Sequence, residues 1–158
     1  MAPDDCYAAA LHGCVEPIKS GVTTLVDFMY VHPRPDITDP VIRAFEETGI
    51  RGFVGRGYLT AETEFGVPTW LIDPVEVALA DARRLIRQYN RPDGRVQVPL
   101  APYMIWGVDR ETLAQTRQLA DAEGALITFH VAETTFEIQT YLQCFGMRDL
   151  PYLEHLGF

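Results

Sequence analysis

The apolar residues of this chain switch repeatedly between a helical spacing and short β-branched runs, and that alternation limits the fold more than any single segment does. "DDCYAAALHGCVEPIKSG" opens with acids suited to a helix N-terminus and runs to a stop at Gly21, with Pro17 expected to kink or end it early. "VTTLVDFMY" predicts a strand, and "TDPVIRAFEETG" a helix begun by Thr38 or Asp39 ahead of Pro40 and closed by Gly49. "IRGFVGRGYL" then reads as a short strand with glycines. The theme repeats in the second half. "DPVEVALADARRLIRQYN" predicts a helix opened by Asp73 and Pro74, "RVQVPLAPYM" a strand, "DRETLAQTRQLADAEG" a helix ended by Gly124, and "ALITFHVA" another strand. In "TTFEIQTYLQCFG", Thr134 and Glu137 have the spacing of a capping box, and "LPYLEHLG" predicts a last short helix.

Strands separated by helices, with no hairpin turn signal between them, imply right-handed crossovers and a parallel sheet. Two architectures remain: an open doubly wound sheet, or an arc of a closed (β/α)8 barrel, which typically needs about 250 residues. No strand is followed by a G-x-G-x-x-G or G-x-x-x-x-G-K-[ST] loop, so a nucleotide-binding open sheet loses support. There is no linker, low-complexity tract or short repeat, and residues 1–158 read as one domain.

Composition narrows the partners. A formal net charge of −9 offers no basic stripe for phosphates, which argues against nucleic acid and against an anionic membrane surface. No stretch approaches the roughly 20 apolar residues of a membrane span, and "MAPDDCYAAALHGC" carries acids where a signal peptide needs a basic region, so a cytoplasmic location is expected. Cys6, Cys14 and Cys144 form no C-x-x-C pair and are expected to be packed thiols.

In both architectures ligands meet the carboxyl ends of the strands. Those ends carry Asp27, Met29, Tyr30 and His32; Arg56 and Tyr58; Tyr103 and Trp106; and His130 and Glu133. Residues 59–72 are long for a strand-to-helix loop and contain Glu62, Glu64 and Trp70, which suits a substrate-covering loop. An imidazole at a strand end with a carboxylate three residues on can divide labour: His130 to bind a divalent metal through a neutral ring nitrogen, Glu133 to carry protons. The alternative is structural, with His130 a rim residue and Glu133 and Thr134 serving the N-terminus of the next helix. His32, beside Pro33 and Pro35, reads as a loop residue, and His12 and His155 fall in helices away from the strand ends.

The succession "IKSGVTTLVDF", "LAPYMIWGVDRETLAQTRQLADAEG", "ITFHVAET" and "FGMRDLPYLEHLGF" resembles the central part of the amidohydrolase superfamily. The branch it resembles contains methylthioadenosine/S-adenosylhomocysteine deaminases, guanine and 8-oxoguanine deaminases and triazine chlorohydrolases. The resemblance implies a partial (β/α)8 TIM barrel, with parallel strands corresponding to about strands two to five. It implies that His130 binds the single catalytic metal, zinc or alternatively iron, and that Glu133 shuttles protons. Tyr103 and Trp106 then fall where a small heterocyclic substrate would bind, and the resemblance leaves a homo-oligomer open. Two departures follow. The family's H-x-H pair would lie upstream of this segment and its later histidine and aspartate downstream, so the chain is expected to be a fragment, inactive alone. Many members also carry histidine just before the "APY" of strand four, where this chain has Leu100, which keeps guanine-type and triazine-type substrates beside adenosine-type ones. From a different class, a noncatalytic half-barrel binding or assembly module stands as the rival, since a scaffold does not carry its function with it.

Overall fold

A computed structural model describes residues 1–61, 67–103 and 107–158 of the 158-residue chain. Helix α1 (Pro3–Lys19) leads into β1 (Thr24–Met29), then α2 (Thr38–Thr48), β2 (Arg51–Tyr58), α3 (Val75–Tyr89), β3 (Val96–Gln97), β4 (Leu100–Pro102), α4 (Arg110–Glu123), α5 (Thr135–Phe145) and α6 (Asp149–His155). Short 3-10 turns at Pro35–Ile37 and Thr69–Leu71 lie in the two connections that follow β1 and β2.

All strand pairs are parallel. Thr24 to Met29 of β1 pair with Arg51 to Arg56 of β2, while β3 and β4 both pair with β2 on its other side. The single strand expected over "RVQVPLAPYM" is thus two pieces in one line. They are separated at Val98 and Pro99, where proline has no N–H and Val98 turns its N–H to the Asn90 side chain at 2.7 Å. The strand expected over "ALITFHVA" is reduced to one bridge: Leu100 and Ile127 pair in parallel, through Leu100 N–H to Leu126 O and Thr128 N–H to Leu100 O, both 2.9 Å. The ladder goes no further because the next donor in register on β4 would be Pro102, which has no N–H.

The helices cover one face of this curved sheet. On β2, Val54, Arg56 and Tyr58 point into the helical layer and are fully buried, as is Leu100, paired with Arg56. The Phe45 ring of α2 fills the place a side chain at Gly52 would take. The opposite, concave face is open: Val26 is 64% exposed and Leu126 55%. A shallow apolar pocket there is lined by Val26, Phe53, Pro99, Leu126 and Thr128. Along the outer edge of β1 a groove of about 370 Å³ is bounded by Cys6, Ala10 and Cys14 of α1 and by Leu25 and Asp27.

Helix ends follow the expected chemistry at Gly49, Gly124 and Gly146, each in the left-handed conformation that a Cβ would disfavour. Three expectations are corrected. Helix α1 runs through Pro17 to Lys19; Gly13 occupies the position whose carbonyl the proline ring crowds, and only the last turn lies beyond. Asp73 does not cap α3, because its carboxylate is bound by Arg56. Cys6 and Cys14 are buried as expected, but Cys144 is exposed.

Candidate active site at the strand ends

Strand parity decides which strand-end residues meet. Arg56 and Tyr58 do not join the concave rim. Arg56 donates from Nε to Asp81 and from one Nη to Asp73, both at 2.9 Å, and Asp81 in turn accepts from Arg84, which is also paired with Asp39. Tyr58 exchanges a 2.6 Å hydrogen bond with Thr116 of α4. Asp27 likewise points into the groove beneath α1, where burial pushes its carboxyl above the usual range. These three residues belong to the helical layer, not to a site.

His32 is buried in the loop after β1, with Nε2 2.8 Å from Thr38 Oγ1 at the start of α2. Burial first, and the nearby Arg56 charge second, drive its pKa down to about 3 against a favourable contact with the Tyr30 backbone. It is a neutral structural histidine, as the loop reading had it.

The rim itself is aromatic. Phe28, on the concave parity of β1, meets the His130 imidazole edge-on at 4.3 Å between centroids. Tyr30, just past β1, stacks on Tyr103, just past β4, at 4.5 Å and 24°. Tyr103 lies tilted to Phe28 at 6.3 Å and to His130 at 6.4 Å. Burial, Tyr30 and the Glu133 charge, in that order, raise the Tyr103 phenol, so it stays protonated.

The turn between His130 and Glu133 is made at Ala132, the one non-glycine residue with positive φ, 56°, among the described residues. A left-handed alanine costs roughly 1–2 kcal/mol, and such strain concentrates at functional sites. The chain bends there directly after the extended segment, and both side chains are exposed. The capping role falls elsewhere: Thr134 Oγ1 accepts the Glu137 N–H at 3.1 Å, and buried Glu137 accepts the Glu133 N–H at 2.6 Å. The expected box is therefore displaced by one residue, and the Glu133 carboxylate takes no part in it.

Trp106, Glu62 and Glu64 fall outside the described residues. Trp70 is 66% exposed in the covering loop, whose ends are tied by the Leu59–Ile72 bridge and by Asp73 N–H to Leu59 O at 2.8 Å. Reading strand ends without parity missed Phe28; the period-2 alternation that sets Phe28 and Val26 opposite Asp27 could have found it. Nothing in the sequence marks Ala132.

Among the described residues no group of three or more His, Cys, Asp or Glu could hold a metal ion. A catalytic zinc site typically draws on about three protein ligands, so the described donors do not by themselves make one.

The profile of the amidohydrolase family matches residues 1–156. The 5'-deoxyadenosine deaminase of Methanothermobacter thermautotrophicus is 34% identical over 156 residues, 98% of this chain and 33% of that protein. The 8-oxoguanine deaminase of Pseudomonas aeruginosa is 32% identical over 164 residues, 100% of this chain and 36% of that one. The crystal structure of an atrazine chlorohydrolase from Arthrobacter aurescens, complexed with zinc, superposes with a TM-score of 0.87 at 24% identity, over 99% of this chain and 36% of the other. The chain thus spans about a third of the length of the curated relatives it matches, and its curved parallel sheet is an arc of a TIM barrel.

Proposed function

The chain belongs to the amidohydrolase family, and on that footing we propose that it forms part of a metal-dependent hydrolase that breaks C–N or C–Cl bonds in purine-like or triazine-like rings, most simply a deaminase. His130 supplies one neutral nitrogen to a divalent ion, zinc or alternatively iron, whose other ligands lie outside these 158 residues. In such sites the ion lowers the pKa of a bound water. Glu133 takes the proton from the attacking water and returns it to the leaving group, while Tyr103 and Trp106 contact the ring.

The observation that supports this reading is the turn at Ala132, with His130 and Glu133 exposed on either side of it and the Glu133 carboxylate outside the hydrogen bonds that cap α5.

The 158-residue chain alone is expected to retain only background zinc after dialysis and to release no ammonia from adenosine or guanine. In a barrel completed by the missing strands, Glu133→Gln should keep the metal and lose most of the rate, whereas His130→Ala should lower metal occupancy. Equal loss of metal in both would make Glu133 a ligand and remove the proton-shuttle role.

The second reading is a noncatalytic half-barrel module, since a scaffold does not carry its function with it. If a barrel completed with an upstream H-x-H pair and a downstream His and Asp still bound no metal, that reading would replace the first.

A further inference from the structure

We infer that Arg51 and Arg95 form an anion-binding fork at the amino ends of the strands, fitted to the phosphate group of a small phosphomonoester. The site lies at the opposite end of the sheet from His130 and Glu133, and it does not rest on the hydrolase reading.

Strand register brings the two arginines together. Gly52 of β2 pairs with Val96 of β3, and the Gly52 N–H donates to Arg95 O at 2.9 Å, so Arg51 and Arg95 are neighbours one step back along the two chains. Like charges side by side on adjacent strands destabilise a sheet unless an opposite charge joins them. Elsewhere the chain supplies one: Arg56, Arg84, Arg87 and Arg117 are each paired with a carboxylate. Among the described residues Arg51 and Arg95 have none, in a chain of net charge −9. Their side-chain hydrogen bonds go to neutral acceptors, Arg51 Nε to Thr24 Oγ1 at 3.4 Å and one Nη of Arg95 to Gly49 O at 2.6 Å. Each guanidinium keeps most of its N–H donors free.

Both arginines line a pocket of about 260 Å³ with Ile18, Val22, Thr23 and Gly49, and among the described residues no Asp or Glu lines it. Holding the carbonyl end of α2 accounts for the Arg95 contact with Gly49. It does not account for Arg51, whose one side-chain bond is to a strand hydroxyl. A guanidinium meets two oxygens of an oxyanion with paired N–H groups. A carboxylate has oxygens for one such fork, whereas a phosphate can engage two on neighbouring strands, whose backbones run roughly 4.8 Å apart. Ile18 and Val22, 41% and 40% exposed, add an apolar wall for a small organic substituent on that phosphate.

The test follows the arginine Nε–H resonances of the 158-residue chain as inorganic phosphate or phenyl phosphate is added, with chloride keeping the ionic strength constant. Arg51 and Arg95 should move saturably with both, and phenyl phosphate should bind several-fold more tightly through its ring. Arg51→Gln and Arg95→Gln should each weaken binding about tenfold or more, as expected for lost hydrogen bonds between charged groups. Arg51→Lys keeps the charge but not the fork and should fall between. Arg148→Gln removes an exposed arginine elsewhere on the chain and should change nothing. Urea midpoints check folding, and if Arg95→Gln is destabilised by losing Gly49, the two Arg51 variants decide. Shifts that grow linearly with phosphate, equal shifts in chloride alone, or undiminished binding by Arg51→Gln would each overturn the fork. Phenyl phosphate binding no more tightly than inorganic phosphate would overturn the monoester.

Discussion

The His130 imidazole rests edge-on against the Phe28 ring, centroids 4.3 Å apart and planes at 78°, and so joins the first strand to the last extended segment across the mouth. Among the described residues that segment makes two backbone bonds to β4, and the ring contact adds a side-chain tie to β1. Phe28→Leu should move the His130 ring-proton resonances and cost about 0.5–1.5 kcal/mol beyond the area lost, read from NMR spectra and urea midpoints. Unmoved His130 resonances would show that the backbone alone holds the imidazole.

The left-handed conformation of Ala132 makes the second expectation. Ala132→Gly relieves the Cβ conflict but frees the unfolded chain, and should change stability by less than about 1 kcal/mol. Ala132→Val adds a branched side chain where even alanine is strained, and should destabilise by roughly 1–2 kcal/mol while displacing Glu133 from Tyr103. Thermal denaturation together with the Tyr103 titration curve would report both effects.

Arg56 sits fully buried between Asp73 and Asp81, tying β2 to α3 and to the end of the covering loop. Arg56→Met leaves two carboxylates facing an apolar side chain, and should cost about 3–5 kcal/mol, as when one partner of a buried pair is removed. Adding Asp73→Asn and Asp81→Asn should recover much of that loss. Urea unfolding of the single and triple variants measures both. A small loss in the single variant would mean that Arg84, already on Asp81, neutralises the cluster by itself.

His32 gives the fold a pH dependence of defined sign. Its folded pKa lies near 3, below its unfolded value of 6.5, so between those values the unfolded chain binds the extra proton. Stability is complete above pH 6.5 and falls as pH drops toward 3, by about 1.4 kcal/mol per unit at most. His32→Gln, able to keep the Thr38 contact, should flatten that slope in urea titrations from pH 7 to pH 4.

The βα alternation, the glycine stops and the Thr134 cap were legible because each is a local chemical signal: a period, a positive φ, a hydroxyl one residue before a helix. The ladder expected over residues 125–132 is cut short because strand pairing is a property of two segments: β4 lies alongside but offers Pro102 where the next N–H is needed. The rim was half legible. Arg56, Tyr58 and Asp27 were placed at strand ends correctly but turn into the helical layer. On a parallel strand both faces carry apolar residues, so the alternation that would separate inward from outward is weak. His130 and Glu133 could be read as a candidate pair from their spacing, while the turn between them rests on a backbone angle that alanine does not advertise.

The open outer edge of β1 and the far side of residues 126–131 have a colloidal consequence. Among the described residues neither has a strand partner, so each offers a row of amide groups that could template a further strand, and the apolar groove beside β1 would reward the encounter. Opposing it is the net charge of −9, which keeps copies apart only as far as a Debye length, about 10 Å in 0.1 M salt. Such a chain is dispersed by its own electrostatics rather than by a finished surface, and added salt should drive it toward association where it would leave a closed barrel unmoved.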